Sequence, residues 1–262
     1  MNNISPLRYP GGKTRACKKL DSILNEKFIL KDFDTIISPF FGGGSFEFFL
    51  QNKYNFKIIA NDKFKPLYSF WKSCKELNKE LTDKLYSIKE INKETFMNYR
   101  NNIMDEKDKL TQSYYYFVIN RCSFSGATLS GGFSEEASTK RFTISSINRI
   151  KNLNLEKFKI SNKDFEQFID KNYRTDKSIM FLDPPYYLEK GYKLYGNNGD
   201  MHEMFDHQKL YNTLSDKKKW LMTYNNCSYI RELYKDFTIL DVEWSYGMNK
   251  TKESSEIVII SH

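Results

Sequence analysis

The sequence predicts an α/β fold: a mostly parallel sheet covered by helices on both faces, with an antiparallel edge strand and a helical insertion in the middle. Three observations predict it. Short β-branched or apolar runs alternate with stretches of 3.6-residue periodicity before about residue 66 and again after about residue 150. Between those points the alternation lapses, leaving helical patterning and a Gly/Ser-rich stretch. A glycine-rich turn joins the first strand to the helix after it, the place where open α/β sheets bind ligands.

The elements follow in order. Beyond a Gly-Gly loop at Pro6–Lys13, Ala16, Leu20, Ile23, Leu24 and Phe28 recur at helical spacing. Thr35-Ile36-Ile37 is a first strand, the turn Pro39–Ser45 follows, and Phe46–Gln51 continues as helix without breakers. Lys57–Ala60 is a second strand ending on Asn61-Asp62. One long amphipathic helix is expected to carry Leu67, Phe70, Trp71, Cys74, Leu77, Leu81 and Leu85. A helix with Tyr114–Phe117 leads into the Gly/Ser-rich stretch Ser123–Ser138, and a basic helix spans about Ser146–Leu153. Strand–helix alternation then resumes: strand Phe158–Ile160, helix Phe165–Ile169, buried strand Ile179–Leu182, helix His207–Leu214, strand Trp220–Thr223, helix Tyr229–Tyr234, strand Phe237–Val242. A turn at Tyr246–Asn249 leads to the last strand, Glu256–Ile260, so the final two strands pair antiparallel at the sheet edge. The expected division is a catalytic domain, 1–65 with 150–262, interrupted by an insertion, 66–149.

Composition narrows the function. The 262 residues are 40% hydrophobic and 16% aromatic, which excludes a disordered chain. No apolar run reaches membrane-spanning length, and the N-terminus lacks the apolar segment of a secretory signal. The four cysteines form no C-x-x-C pair and there are three histidines, so no metal site is expected and an intracellular, cytoplasmic setting is. Lys and Arg number 41 against 33 acidic residues, a net charge of +8 that favours a polyanionic partner.

Three motifs carry the chemistry. In Phe41-Gly42-Gly43-Gly44-Ser45, glycines free the backbone to approach a ligand, and the helix N-terminus beyond favours a negative group. The alternative is a tight turn without a ligand; the spacing is not G-x-G-x-x-G. Asp62 ends the second strand, where a carboxylate either accepts the two hydroxyls of a ribose or caps the next helix. Asp183-Pro184-Pro185-Tyr186 follows four apolar residues. One carboxylate, one carbonyl on a backbone that the prolines stiffen, and one aromatic face suit a planar base bearing an exocyclic amine.

These residues resemble a known family. Asp183-Pro184-Pro185-Tyr186 is similar to the D-P-P-Y motif of Dam-like, alpha-group DNA adenine-N6 methyltransferases of restriction–modification, viral or phage type. Phe41–Ser45 resembles their F-x-G-x-G cofactor motif, and Leu7–Lys13 their N-terminal W/Y-x-G-G-K segment. Asn120-Arg121 followed by Phe124 and Gly126 is similar to their N-R-x-x-x-N-G segment, with Ser125 at the Asn position. Ser38 stands where the family has an acid before Pro-Phe.

The resemblance implies a class I methyltransferase fold, Rossmann-like, with a target-recognition insertion, and S-adenosyl-L-methionine as cofactor. Tyr9, Gly11, Gly12, Lys13, Phe40, Phe41, Gly42, Gly43, Gly44 and Ser45 would line the cofactor with Asp62, Asp164, Phe165 and Asp183. Asp164 has a helix cap as its alternative. Asp183, Pro184, Pro185 and Tyr186 would act on N6 of an adenine flipped out of the duplex. Asn120, Arg121, Ser125, Lys140 and Arg141 in the insertion, and Asn249 and Lys250 in the terminal turn, would meet double-stranded DNA. A cognate restriction endonuclease, a monomeric or weakly dimeric chain, and a nucleoid or phage- or virus-infected cell fit that reading. The competing readings are an N4-cytosine or RNA adenine methyltransferase, a non-catalytic DNA-binding relative and, last, a nucleotide-dependent oxidoreductase.

Overall fold

The computed structural model describes residues 3–9, 11–174, 176–187, 205–244 and 254–262. Asn249 and Lys250 lie outside the described residues. Seven strands form one sheet in the order β3-β2-β1-β4-β5-β7-β6. They are β1 (Thr35–Ser38), β2 (Lys57–Asn61), β3 (Phe158–Ser161), β4 (Ser178–Leu182), β5 (Trp220–Asn225), β6 (Thr238–Trp244) and β7 (Ser254–Ser261). β1 to β5 pair in parallel, and β7 runs antiparallel to both of its neighbours.

Alternation along the strands builds two apolar layers. Ile36, Ile58, Ile179, Phe181, Leu221, Val258 and Ile260 pack on one face, and Ile37, Met180, Leu182, Trp220, Met222, Ile257 and Ile259 on the other. Successive side chains of a strand point to opposite faces, so a strand covered on both reads as an unbroken apolar run. β4 is the clearest case, with all five residues buried.

The antiparallel pairing of the last two strands is present, but the final strand is not the edge. β7 sits between β5 and β6, and β6 takes the edge. Polarity explains the order: Ile257 to Ile260 are all buried, whereas Asp241 and Glu243 on β6 are exposed, as an edge strand tolerates.

The described helices are α1 (Cys17–Lys27), α2 (Ser45–Tyr54), α3 (Lys65–Glu76), α4 (Asn78–Tyr86), α5 (Lys93–Asn102), α6 (Lys109–Cys122), α7 (Glu135–Lys140), α8 (Ile144–Lys151), α9 (Phe165–Asn172), α10 (His207–Leu214) and α11 (Ser228–Leu233). The single long helix expected after Asp62 is two, α3 and α4. Leu77 leaves the helical region at φ −132°, ψ 37°, and the Asn78 amide donates to the Cys74 and Ile150 carbonyls at the break. Apolar spacing continues across the break, which is why periodicity does not reveal it. α5 and α7 are additional. Each is short and polar, and each starts at a capping side chain: Asn92 accepts from the Thr95 N–H and Ser134 from the Ala137 N–H.

The boundaries expected at 65/66 and 149/150 are not breaks in packing. Leu67, Phe70 and Trp71 of α3, Phe117 of α6 and Ile147 of α8 share one apolar cluster with Ile36, Ile58 and Phe158 of the sheet.

Candidate active site

Parallel strands all end at the same rim of the sheet. β1 and β4 are neighbours, so the turn after Ser38 and the tetrad after Leu182 come to lie side by side there. β2 brings Asp62 to the same rim, next to β1 on the other side.

The glycine turn is closed from within and from above. Phe41 turns inward: it is buried among Phe48, Trp71 and Phe158, with ring centroids 5.2–5.9 Å away. Its backbone, rather than its ring, lies at the rim. The Trp71 indole donates to the Gly42 carbonyl at 2.9 Å. Gly44 sits at φ 67°, and a Cβ there would lie 2.5 Å from Cζ of Phe41, so only glycine fits. Tyr9 lies over the turn: a Cβ on Gly43 would meet Cβ of Tyr9 at 2.8 Å. Gly12 donates its N–H to the Tyr9 carbonyl, and the Thr14 hydroxyl donates to Ser45 Oγ, joining Gly11 to Lys13 with the turn.

Beneath this turn lies a pair that sequence reasoning missed. The Ser38 hydroxyl donates to the buried Glu47 carboxyl at 2.6 Å. Burial pushes that carboxyl up to about 7; the Ser38 bond pulls it back and the Asp183 charge adds to the rise. Glu47 lies in the first turn of α2, so a buried carboxyl stands directly against Ser38 at the end of β1.

The Asp62 carboxylate accepts the Gly42 N–H at 3.0 Å and the Phe64 N–H at 2.9 Å. It bonds within the turn and does not cap α3, which has no side-chain cap. Burial raises its carboxyl to about 6 against the pull of those two N–H groups. Asn61, fully enclosed, ties the rim together through the Pro39 and Lys163 carbonyls.

Asp164 caps α9 through the Glu166 N–H, and Lys63 and Lys209 pair with it at 3.1 and 3.4 Å. Burial pushes it up, but the Lys63 hydrogen bond, the Glu166 N–H and the two lysine charges together hold it below the usual range. The helix cap read as its alternative is present in the structure. Phe165 beside it packs with tilted rings against Phe40 and Phe205, which meet each other edgewise, centroids 5.5–5.7 Å apart. Phe205, preceding α10, is a member that the sequence pattern did not single out.

The tetrad is held from the N-terminal loop and from β5. Lys13 Nζ lies 2.9 Å from Asp183 Oδ1, the Thr223 hydroxyl on β5 donates to the same oxygen at 2.6 Å, and the Tyr186 ring packs on Tyr224 at 5.8 Å. Lys13, expected to line the cofactor, thus makes an ion pair with the tetrad. Its side chain is 4% exposed. Thr223 and Glu256 are further residues missed; a lone carboxylate opening the run Ile257–Ile260 was the available signal.

The DNA-facing expectations divide. Asn120 is fully buried and clasps Arg8, accepting its N–H at 2.9 Å and donating to its carbonyl at 2.6 Å. Arg121 is also buried, donating to the Arg141 carbonyl at 2.6 Å and the Pro6 carbonyl at 3.3 Å. Burial, with Arg8, Arg149 and Arg141 nearby, lowers it to about 10. Asn120 braces the loop after α6 through the Thr128 hydroxyl at 3.2 Å, Arg121 ties α6 to the Pro6 and Arg141 backbone, and both side chains are buried where direct contact with DNA was expected of them. Arg141 and Lys140 are exposed, Lys140 paired with Glu136 at 3.1 Å, and Ser125 is half-buried at φ 55°.

A sequence profile of the D12 class N6 adenine-specific DNA methyltransferases matches residues 9–248 of this chain. The chain belongs to that family. It is 26% identical over 262 residues to the type II methyltransferase M.CviBI of Paramecium bursaria Chlorella virus NC1A, covering 92% of this chain and 90% of that one. It is 27% identical over 263 residues to the type II methyltransferase M.MjaIII of Methanocaldococcus jannaschii, covering 90% of this chain and 89% of that one. The methyltransferase acts on DNA, methylating adenine at N6 in a site-specific manner, and uses a methyl donor. Its mostly parallel seven-stranded sheet with an antiparallel strand is the class I methyltransferase architecture. Among the described residues, no helix is long and apolar enough to cross a membrane.

Proposed function

We propose that the methyl donor is S-adenosylmethionine and that Asp183-Pro184-Pro185-Tyr186 presents the N6 amine of a flipped-out adenine to it. The adjacency of the tetrad and the glycine turn, on neighbouring parallel strands, carries the reading. The donor set fits the group. Asp62 keeps lone pairs beyond its two backbone bonds for ribose hydroxyls, Gly42–Gly44 carry no side chains of their own where Tyr9 closes on the turn, and Asp164 and Phe165 flank the far side. When bound, the cofactor supplies a methyl group on a sulfonium, already activated for transfer.

The chain's residues supply orientation. The described hydrogen bond and ion pair to Asp183 both fall on Oδ1, leaving Oδ2 to accept one N6–H. The Pro184 carbonyl accepts the other, so the amine is drawn out of conjugation and its lone pair aligned. Stacking on Tyr186 offsets part of the few kcal/mol that flipping costs. Residues 66–149 serve as the recognition part, with Arg141, Lys140 and Ser125 toward DNA; Asn249 and Lys250 are proposed second contacts outside the described residues. The recognised sequence follows from resemblance alone, GATC with CATG as the alternative. Action by a single chain beside a cognate endonuclease inside the cell fits the type II relatives.

The test is expression in a methylation-free host, with modification-sensitive sequencing of its DNA. N6-methyladenine in one short motif, lost in Asp183→Ala, is expected, with S-adenosylmethionine required in the purified reaction and its affinity retained by that variant. Methylation unchanged by Asp183→Ala overturns the assignment of the tetrad.

A further inference from the structure

We infer that Glu256 is a positioning residue for methyl transfer: it holds the Tyr186 ring and the Lys13–Asp183 ion pair in place from β7. The inference rests on the catalytic reading of the tetrad.

The placement follows from topology. β7 runs antiparallel, so its first residues reach the rim where the parallel strands end. Glu256 stands opposite Asn225 of β5 and Val242 of β6, one residue before the apolar run begins. It shares a face with Val258 and Ile260 by strand alternation. Its side chain is 2% exposed, a burial a carboxylate tolerates only when its oxygens are engaged.

Its partners are both parts of the site. The Tyr186 hydroxyl donates to Glu256 Oε2, and Lys13 Nζ lies 4.0 Å from the same oxygen. Lys13 reaches Asp183 Oδ1 at 2.9 Å and stands 5.0 Å from the centre of the Tyr186 ring. One carboxylate therefore fixes both ends of the tetrad. A tyrosine at the end of a strand keeps rotational freedom about its side-chain bonds; the hydroxyl bond on one edge and Tyr224 against the ring leave it one tilt. A base stacking on that ring meets a preset plane, and preset geometry lowers the barrier without a contact to the cofactor.

The experiment compares Glu256→Leu, Glu256→Gln, Tyr186→Phe and the Glu256→Leu/Tyr186→Phe double variant in the full chain. It measures kcat, KM for duplex, S-adenosylmethionine affinity by calorimetry, and fluorescence of a duplex with 2-aminopurine at the target base. Glu256→Leu is expected to lower kcat about tenfold, the value of one hydrogen bond, with cofactor affinity changed less than about twofold. Glu256→Gln keeps an acceptor for the hydroxyl and recovers most of that loss. Tyr186→Phe loses the same bond from the other end, and the double variant falls no further than the single ones. The flipped-base signal of Glu256→Leu and Tyr186→Phe changes, because the stacking plane is no longer set. An unchanged kcat in either single variant, or losses that multiply in the double one, overturns the inference. Should Glu256→Leu not fold, Tyr186→Phe alone decides through kcat and the fluorescence signal. Asp183→Ala run alongside separates the two readings. If it stays active the tetrad assignment fails. If it is inactive while Tyr186→Phe keeps full kcat, only the role of Glu256 fails.

Discussion

Glu47 turns the site's electrostatics into a stability measurement. It is 2% exposed, it accepts the Ser38 hydroxyl, and burial raises its carboxyl from near 4.5 to about 7. A carboxyl raised by folding holds its proton longer in the native state than in the unfolded one. The stability it contributes is fully present below about pH 4.5 and is lost as pH rises through about 7. The gap of about two and a half units corresponds to a loss on the order of 3 kcal/mol. Glu47→Gln keeps an acceptor for Ser38 and never ionises, so it should match the wild type at pH 4.5 and exceed it at pH 8. On a chain of this length that is roughly 6–10 °C in Tm at pH 8. Calorimetric or urea unfolding of both proteins at the two pH values reads the effect as a difference of differences, in which the other titrating groups cancel. An equal shift at both pH values, or a variant no more stable at pH 8, refutes the buried-carboxyl argument.

Asp62→Ala should weaken S-adenosylmethionine binding by about 1–3 kcal/mol in calorimetry. In the wild type, affinity should fall as pH drops through about 6, where the carboxylate gains a proton and stops accepting hydroxyls; the variant should lack that fall. Gly44→Ala puts a Cβ 2.5 Å from the buried Phe41 ring at φ 67° and should cost about 2–4 kcal/mol in unfolding experiments. Arg141→Ala should weaken binding to duplexes of any sequence and reduce the log–log salt slope by about 0.9. An unchanged slope removes Arg141 from the phosphate contacts.

Local information was enough for much of this protein. Strand alternation and the order of strand, glycine turn and helix are properties of neighbouring residues, so β1 to β5 and the turn at Gly42–Gly44 were legible in the sequence. So was the tetrad, because Asp183-Pro184-Pro185-Tyr186 is contiguous, although the groups that hold it are not. Features set by distant partners were not. The break at Leu77 depends on the Asn78 amide finding the Ile150 carbonyl. Asn120 and Arg121 carry polar side chains that suit DNA, yet packing turned them toward Arg8, Pro6 and Arg141. Lys13 and Glu256 stand at opposite ends of the chain, and only the insertion of β7 between β5 and β6 brings that carboxylate to the rim where Tyr186 lies. Periodicity reports which face of an element is apolar; which charged group is buried against which is decided when the sheet closes.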